Sequence, residues 1–143
     1  MPESTLHFHI LTLFPDMFAP MQAQGVLSRA VSKNLIKFSL YDIRDYTTDR
    51  HRQVDDYPFG GGPGMLMKPE PVFSAVDSIR EQLDANKIPT ILISPQGNPF
   101  SHKKAVELSE NKNIILICGR YEGFDERIRE YLATDEISLG DFI

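Results

Sequence analysis

The sequence has one cysteine, no tryptophan and no excess of positive charge. The single thiol, Cys118, excludes an intramolecular disulfide framework and suits a reduced compartment. It sits in the apolar run NIILIC, and such surroundings raise a thiol's pKa, which marks it as an inert buried side chain rather than a nucleophile. A formal net charge of −5 and a pI near 5.3 argue against a protein that grips nucleic acid by bulk electrostatics, although local basic clusters are compatible with them. No apolar run approaches the roughly 20 residues of a membrane span. The N-terminus also lacks a basic region followed by a long hydrophobic stretch. These absences read as a cytoplasmic protein with no membrane partner.

Two nucleotide signatures are missing as well. The stretch GGGPGM, residues 60–65, is rich in glycine, but a phosphate-cradling P-loop must end in Gly-Lys-Ser/Thr and here methionine follows. The dinucleotide fingerprint fails too, because Met65 stands where its third glycine belongs. No metal is expected: His7 and His9 share a strand face, yet no carboxylate or cysteine run near them completes a ligand set.

What is present suits one domain of 143 residues, 41% hydrophobic and 24% charged. Residues 6–13 form a short apolar run closed by Pro15, which predicts a buried strand turning into a helix. Residues 26–33 read as helical, and 36–41 alternate in the period of a half-exposed strand. From residue 44 to 64 no period survives, and an aperiodic stretch of that length inside a compact domain is usually functional or disordered. Val72, Phe73, Val76, Ile79 and Leu83 then fall on one helical face, in a helix running to about residue 86. Strands follow at 90–94, 114–118 and 136–139, with helices at 101–110 and 125–132 between them. Apolar strands alternating with helices predict an α/β fold, a mostly parallel sheet flanked by helices on both faces.

In such sheets ligands bind beyond the carboxyl ends of the strands. Three of those ends run into SPQGNP, GRYEGFDER and GDFI, each with a glycine at or near the strand end. The glycines either terminate strands or thin the backbone for a ligand; three in a row, beside a fourth glycine loop, favour the second alternative. The run TTDRHRQVDD carries Arg50, His51 and Arg52 as donors with Asp49, Asp55 and Asp56 as acceptors. It reads either as a solvated charge run or as a polar substrate surface.

Taken together, DRHRQVDDYPFGGGPGMLMKPEP, ISPQG, LICGRYEGFDER and ISLGDFI resemble, in order and over nearly the whole chain, the bacterial tRNA (guanine-N1)-methyltransferase family of the SPOUT class. The resemblance implies S-adenosylmethionine-dependent methylation of N1 on the guanosine at position 37 of tRNA, by a homodimer. It also implies a C-terminal trefoil knot built from three loops, matched here by residues 94–97, 119–123 and 138–143. Cofactor-binding residues carried over on those loops are Ser94, Pro95, Gly119, Tyr121, Gly123, Ser138, Leu139, Gly140, Asp141, Phe142 and Ile143. Arg120 and Glu122 fall at catalytic positions, and His51, Asp55, Pro63 and Gly64 at positions facing the RNA or the target base. The chemistry agrees with this. Guanine N1 carries a proton that a base must remove while charge develops on the ring carbonyl, and Arg120 is the available cation.

Two departures accompany the resemblance. The family continues beyond the last motif with the rest of the third knot loop, a linker and a helical tRNA-binding domain, whereas this sequence stops at Ile143. The family's proposed general base lies in that continuation, so residues 1–143 read as an incomplete SPOUT methyltransferase domain, a fragment expected to be inactive alone. Phe142 stands where tyrosine is common, a change of little expected effect. Two rivals predict other behaviour: a non-catalytic α/β module that grips a nucleotide or RNA, and a purely structural dimerisation unit.

Overall fold

A computed structural model describes residues 5–48, 54–56, 66–83, 87–119 and 124–140. Strand β1 (Leu6–Thr12) leads through a 3-10 turn at Pro15–Phe18 into helices α1 (Ala19–Ala23) and α2 (Gly25–Ser32), then strand β2 (Ile36–Asp42). A second 3-10 turn, Ile43–Tyr46, and a two-residue ribbon of β3 (Asp55–Asp56) with β4 (Leu66–Met67) precede helix α3 (Pro69–Leu83). Strand β5 (Thr90–Pro99), helix α4 (His102–Ser109), strand β6 (Asn113–Cys118), helix α5 (Glu126–Tyr131) and strand β7 (Asp135–Ser138) complete the described elements.

Five of these strands make one sheet in the order β2-β1-β6-β5-β7, and every pairing in it is parallel. The expectation of a mostly parallel sheet thus sharpens to a wholly parallel one among the described strands. Alternation along each strand divides the core. Leu11, Leu92, Ile115 and Ile117 face one side, packed with Val72, Ala75, Val76 and Ile79 of α3 and Ile128 of α5. Ile91, Ile114 and Ile137 face the other, with Leu6, Phe8, Ile93, Leu116 and Leu108 of α4. Of the predicted face, Val72, Val76 and Ile79 are fully buried and Phe73 and Leu83 pack partly buried against them, with Ala75 joining the buried side; burying each large aliphatic side chain contributes about 1.5–3 kcal/mol. Pro69 opens α3, where its missing N–H costs nothing and its fixed φ suits the first turn.

The second face is the thinner one. Helix α4 spans only eight residues, and beside it an apolar cleft of about 300 Å³ is lined by Leu6, Phe8, Phe100, Leu108, Leu116 and Leu139, among others. Phe100 and Leu139 stand exposed there, and Met17, Val26 and Leu27 of the α1–α2 region are exposed as well.

One boundary departs from the sequence reading. The residues SPQGNP, expected to be a loop after a strand ending at 94, belong to β5, which runs on to Pro99. Both Ile93 and Asn98 lie opposite Ile137 of β7, so the four residues between them, 94–97, form an excursion out of the ladder. Tertiary pairing with β7 overrides the turn propensity of Pro95, Gly97 and Pro99. Strand β3, within the expected aperiodic stretch, pairs antiparallel with β4 just beyond it, Asp55 opposite Met67 and Asp56 opposite Leu66.

His7 and His9 meet polar side chains of β2 and β6. The His7 Nε2 lies 2.6 Å from the Ser39 hydroxyl. The His9 ring lies 3.1 Å from the Tyr41 hydroxyl through Nδ1 and 3.0 Å from Asn113 Oδ1 through Nε2. Burial, with help from neighbouring His9 and Lys37, lowers the His7 pKa from 6.5 to about 4, and burial lowers that of His9. Above pH 6.5 both folded and unfolded chains hold neutral rings and the proton has no leverage. Between pH 6.5 and about 4 the unfolded chain takes up protons that the folded chain refuses, so stability falls as the pH falls. Urea titrations across that window should show this loss, and His7→Gln should flatten the slope; an unchanged slope in the variant would remove His7 as its source.

Candidate functional site at the strand carboxyl ends

Cys118 of β6, Ile93 of β5 and Ile137 of β7 stand opposite one another across three neighbouring strands. The three stretches singled out in the sequence therefore leave the sheet side by side and at one level. Ser94 begins the excursion from β5, Gly119 follows β6, and Ser138 ends β7. Pro95, Gly119 and Leu139 are exposed, whereas Ser94 and Ser138 are buried.

Each buried serine is engaged locally. The Ser94 Oγ accepts from the Gln96 amide at 3.1 Å. The Ser138 Oγ accepts from the Gly140 amide at 3.2 Å and donates to the Gly140 carbonyl at 3.3 Å. Gly140 adopts a φ of 155°, a backbone state that favours glycine.

Close approach explains two more glycines, and what approaches is the protein itself. A Cβ on Gly97 would lie 2.6 Å from the backbone of Glu136 and Ile137. A Cβ on Gly119 would press into the ring of Phe124, 2.8 Å from Cε1. Both glycines let one segment of the site lie flush on another.

Met67 joins the glycine-rich stretch to the stretch after β6. Its side chain is fully buried, its backbone bridges to Phe124, and its carbonyl accepts from the Asp125 amide at 3.2 Å. The Lys68 amide donates to the Val54 carbonyl at 2.7 Å, closing the base of the β3–β4 ribbon. Met67 and residues 124–125 are thereby held next to each other. The carboxylate of Asp125 caps α5, accepting from the Arg127 amide and guanidinium at 2.9 Å each, and this pairing holds it below the usual carboxylate range.

A group that the sequence did not reveal sits behind these loops. Arg129 of α5 makes a two-point contact with Glu136 of β7, Nε to Oε1 at 2.7 Å and Nη2 to Oε2 at 2.9 Å. The same guanidinium donates to Gln96 Oε1 at 3.0 Å and to Glu126 Oε2 at 2.6 Å. The Arg129 pairing pulls the Glu136 pKa down, and Glu136 pushes that of Arg129 up. A helical Glu126-to-Arg129 spacing is visible in the sequence, but nothing there shows partners on β5 and β7.

Of the residues carried by the resemblance, Ser94, Pro95, Gly119, Ser138, Leu139 and Gly140 are brought to one end of the sheet. Asp55 is placed by its backbone in β3. Arg120, Tyr121, Glu122, Gly123, Asp141, Phe142, Ile143, His51, Pro63 and Gly64 lie outside the described residues. Burial raises the Cys118 thiol to about 11, against any role as a thiolate at neutral pH. Among the described residues no group of three or more His, Cys, Asp or Glu side chains is placed to hold a metal ion.

Comparison with known proteins matches residues 6–143 to a family model described as tRNA (Guanine-1)-methyltransferase TrmD. A tRNA (guanine-N(1)-)-methyltransferase of Dehalococcoides mccartyi is 52% identical over 134 residues, covering 94% of this chain and 54% of the relative. One from Bacillus cereus is 48% identical over the same shares. The chain thus spans about half the length of the curated relatives it matches. The crystal structure of tRNA (m1G37) methyltransferase from Aquifex aeolicus superposes with a TM-score of 0.86 at 38% identity, covering 98% of this chain and 62% of that one.

The packing at Gly97 carries a direct test. Alanine there meets backbone, which cannot give without displacing β7, so Gly97→Ala should cost about 1–3 kcal/mol in denaturant unfolding. Gly119→Ala meets a side-chain ring that can rotate away and should cost less. Equal stability of Gly97→Ala and the parent would show that the approach of residue 97 to β7 is not tight.

Proposed function

The chain belongs to the tRNA (guanine-1)-methyltransferase family, and from that premise we propose that it serves S-adenosylmethionine-dependent methylation of N1 on the guanosine at position 37 of tRNA. The observation that carries this reading is the level alignment of Cys118, Ile93 and Ile137, which launches three backbone-rich loops from adjacent parallel strands. On this reading residues 1–143 belong to a SPOUT methyltransferase domain, and residues 94–97, 119–123 and 138–143 contribute to its trefoil knot. The doubled pairing of Ile137, with residues 94–97 excluded from the ladder, supports a crossing of chain segments at that point.

The residues present fit the cofactor. Ser94 and Ser138 spend their hydroxyls within the protein, leaving exposed Pro95, Gly119 and Leu139 with their peptide groups to meet a nucleoside. Apolar walls and backbone donors suit a flat, uncharged base whose edge needs hydrogen bonds and whose face needs contact. When bound, S-adenosylmethionine supplies an electrophilic methyl group on a sulfonium. The family resemblance assigns Tyr121, Gly123, Asp141, Phe142 and Ile143 to the same cofactor site and Arg120 and Glu122 to catalysis, with Arg120 as the cation available to the charge that develops on the guanine carbonyl. Pro63 and Gly64 wall the space for the target base, while His51 and Asp55 engage the RNA. Most of the work assigned to the chain is alignment and exclusion of water, which rigid loops on a parallel sheet can supply.

A homodimer and a cytoplasmic location complete the proposal. Exposed Met17, Val26, Phe100 and Leu139, together with the apolar cleft beside α4, support self-association. No described helix is long and apolar enough to cross a membrane.

Titration calorimetry with S-adenosylmethionine and with ATP tests the reading without requiring turnover. Saturable binding of the sulfonium nucleoside, with ATP at least tenfold weaker, is the expected result. Preference for ATP would transfer the chain to a nucleotide-binding module, and an intact dimer that binds neither would leave a structural unit.

A further inference from the structure

Arg129 reaches three segments at once. Its guanidinium grips both carboxylate oxygens of Glu136 on β7, one oxygen of Glu126 on its own helix, and the side-chain carbonyl of Gln96 in the excursion from β5. The backbone of Glu136 in turn lies against Gly97. Residues 96 and 97 are thus each tied to Glu136, Gln96 through Arg129 and Gly97 by direct approach. The side chains of Arg129 and Glu136 are 26% and 17% exposed, so water competes less for this pair than for the other Arg129 partner, Glu126, at 63%.

The arrangement has a geometric requirement. An excursion of four residues from a strand has no ladder hydrogen bonds of its own, and Pro95 contributes no N–H. Without an outside tie its position is set only by the Ser94 turn and the fit of Gly97. A planar guanidinium donates along several fixed directions and can hold a carboxylate with two N–H groups while a third points elsewhere; an ammonium cannot.

We propose that Arg129 is a positioning residue, locking residues 94–97 to β7 and α5 so that the β5 loop keeps its place beside the loops after β6 and β7. It touches no substrate and acts through Gln96 and Glu136. Its relevance to the cofactor rests on the methyltransferase reading above; its role as a tie does not.

Two measurements on the 143-residue chain separate these. Amide hydrogen exchange should show the Gln96 amide exchanging about tenfold faster in Arg129→Met, the loss of roughly one charge-assisted hydrogen bond, with β1 and β6 amides unchanged. Calorimetry should show about a tenfold weaker dissociation constant for S-adenosylmethionine in the same variant. Arg129→Lys, which keeps the charge but not the fork, should recover only part of either effect. Unchanged Gln96 exchange overturns the proposal, as does complete rescue by lysine or acceleration spread evenly over the sheet. Faster exchange with unaltered cofactor affinity also overturns it, since the tie would then position nothing the cofactor uses. A parent chain that binds no S-adenosylmethionine would sink the cofactor reading instead, and the Gln96 exchange would then decide on the tie alone.

Discussion

Ile137 stands opposite two residues of β5, Ile93 and Asn98, and the upper end of the molecule follows from that doubled pairing. A parallel strand that meets the same partner residue twice must expel what lies between, so residues 94–97 leave the sheet plane whatever their composition. Composition decides whether they can do so cheaply. Gly97 passes within contact of the β7 backbone where any side chain would collide, and Ser94 turns back to satisfy the Gln96 amide. The Arg129–Glu136 pair then closes the open side. Each step depends on the one before, because without the excursion Gln96 would not lie within reach of α5.

Much of the lower architecture was legible because its physics is local or periodic. Parallel strands covered on both faces read as unbroken apolar runs, and β6 and the first half of β5 do so. Helix α3 shows its buried face at positions 72, 76 and 79 without help from any other segment. The second half of β5 was misread for an equally physical reason: a Pro-Gln-Gly-Asn-Pro sequence favours a turn locally, and only pairing with a strand some forty residues later holds it extended. Arg129 stayed hidden likewise, since Gln96 lies 33 residues away in sequence and α5 displays only the Glu126 contact.

The glycines teach a narrower lesson. Three glycine-bearing strand ends lie together at one end of the sheet, but bare backbone in a sequence does not say what comes near it. At Gly97 the neighbour is β7, and at Gly119 it is the Phe124 ring. A glycine that lets two loops of a site lie flush serves the ligand only indirectly, by allowing those loops to be close enough to share one.

The two ends of the sheet also divide the polar side chains in opposite ways. At the amino end, His7 and His9 meet Ser39, Tyr41 and Asn113, and burial lowers their pKa values. At the carboxyl end the Ser94 and Ser138 hydroxyls are spent on their own turns, and Arg129 is spent on Glu136, Glu126 and Gln96. What the described residues there still offer a ligand is peptide backbone and apolar surface. Such a surface recognises by shape and by the fixed direction of amides, not by charge. For an acidic chain with net charge −5, that is an end suited to an uncharged, flat ligand rather than to a polyanion.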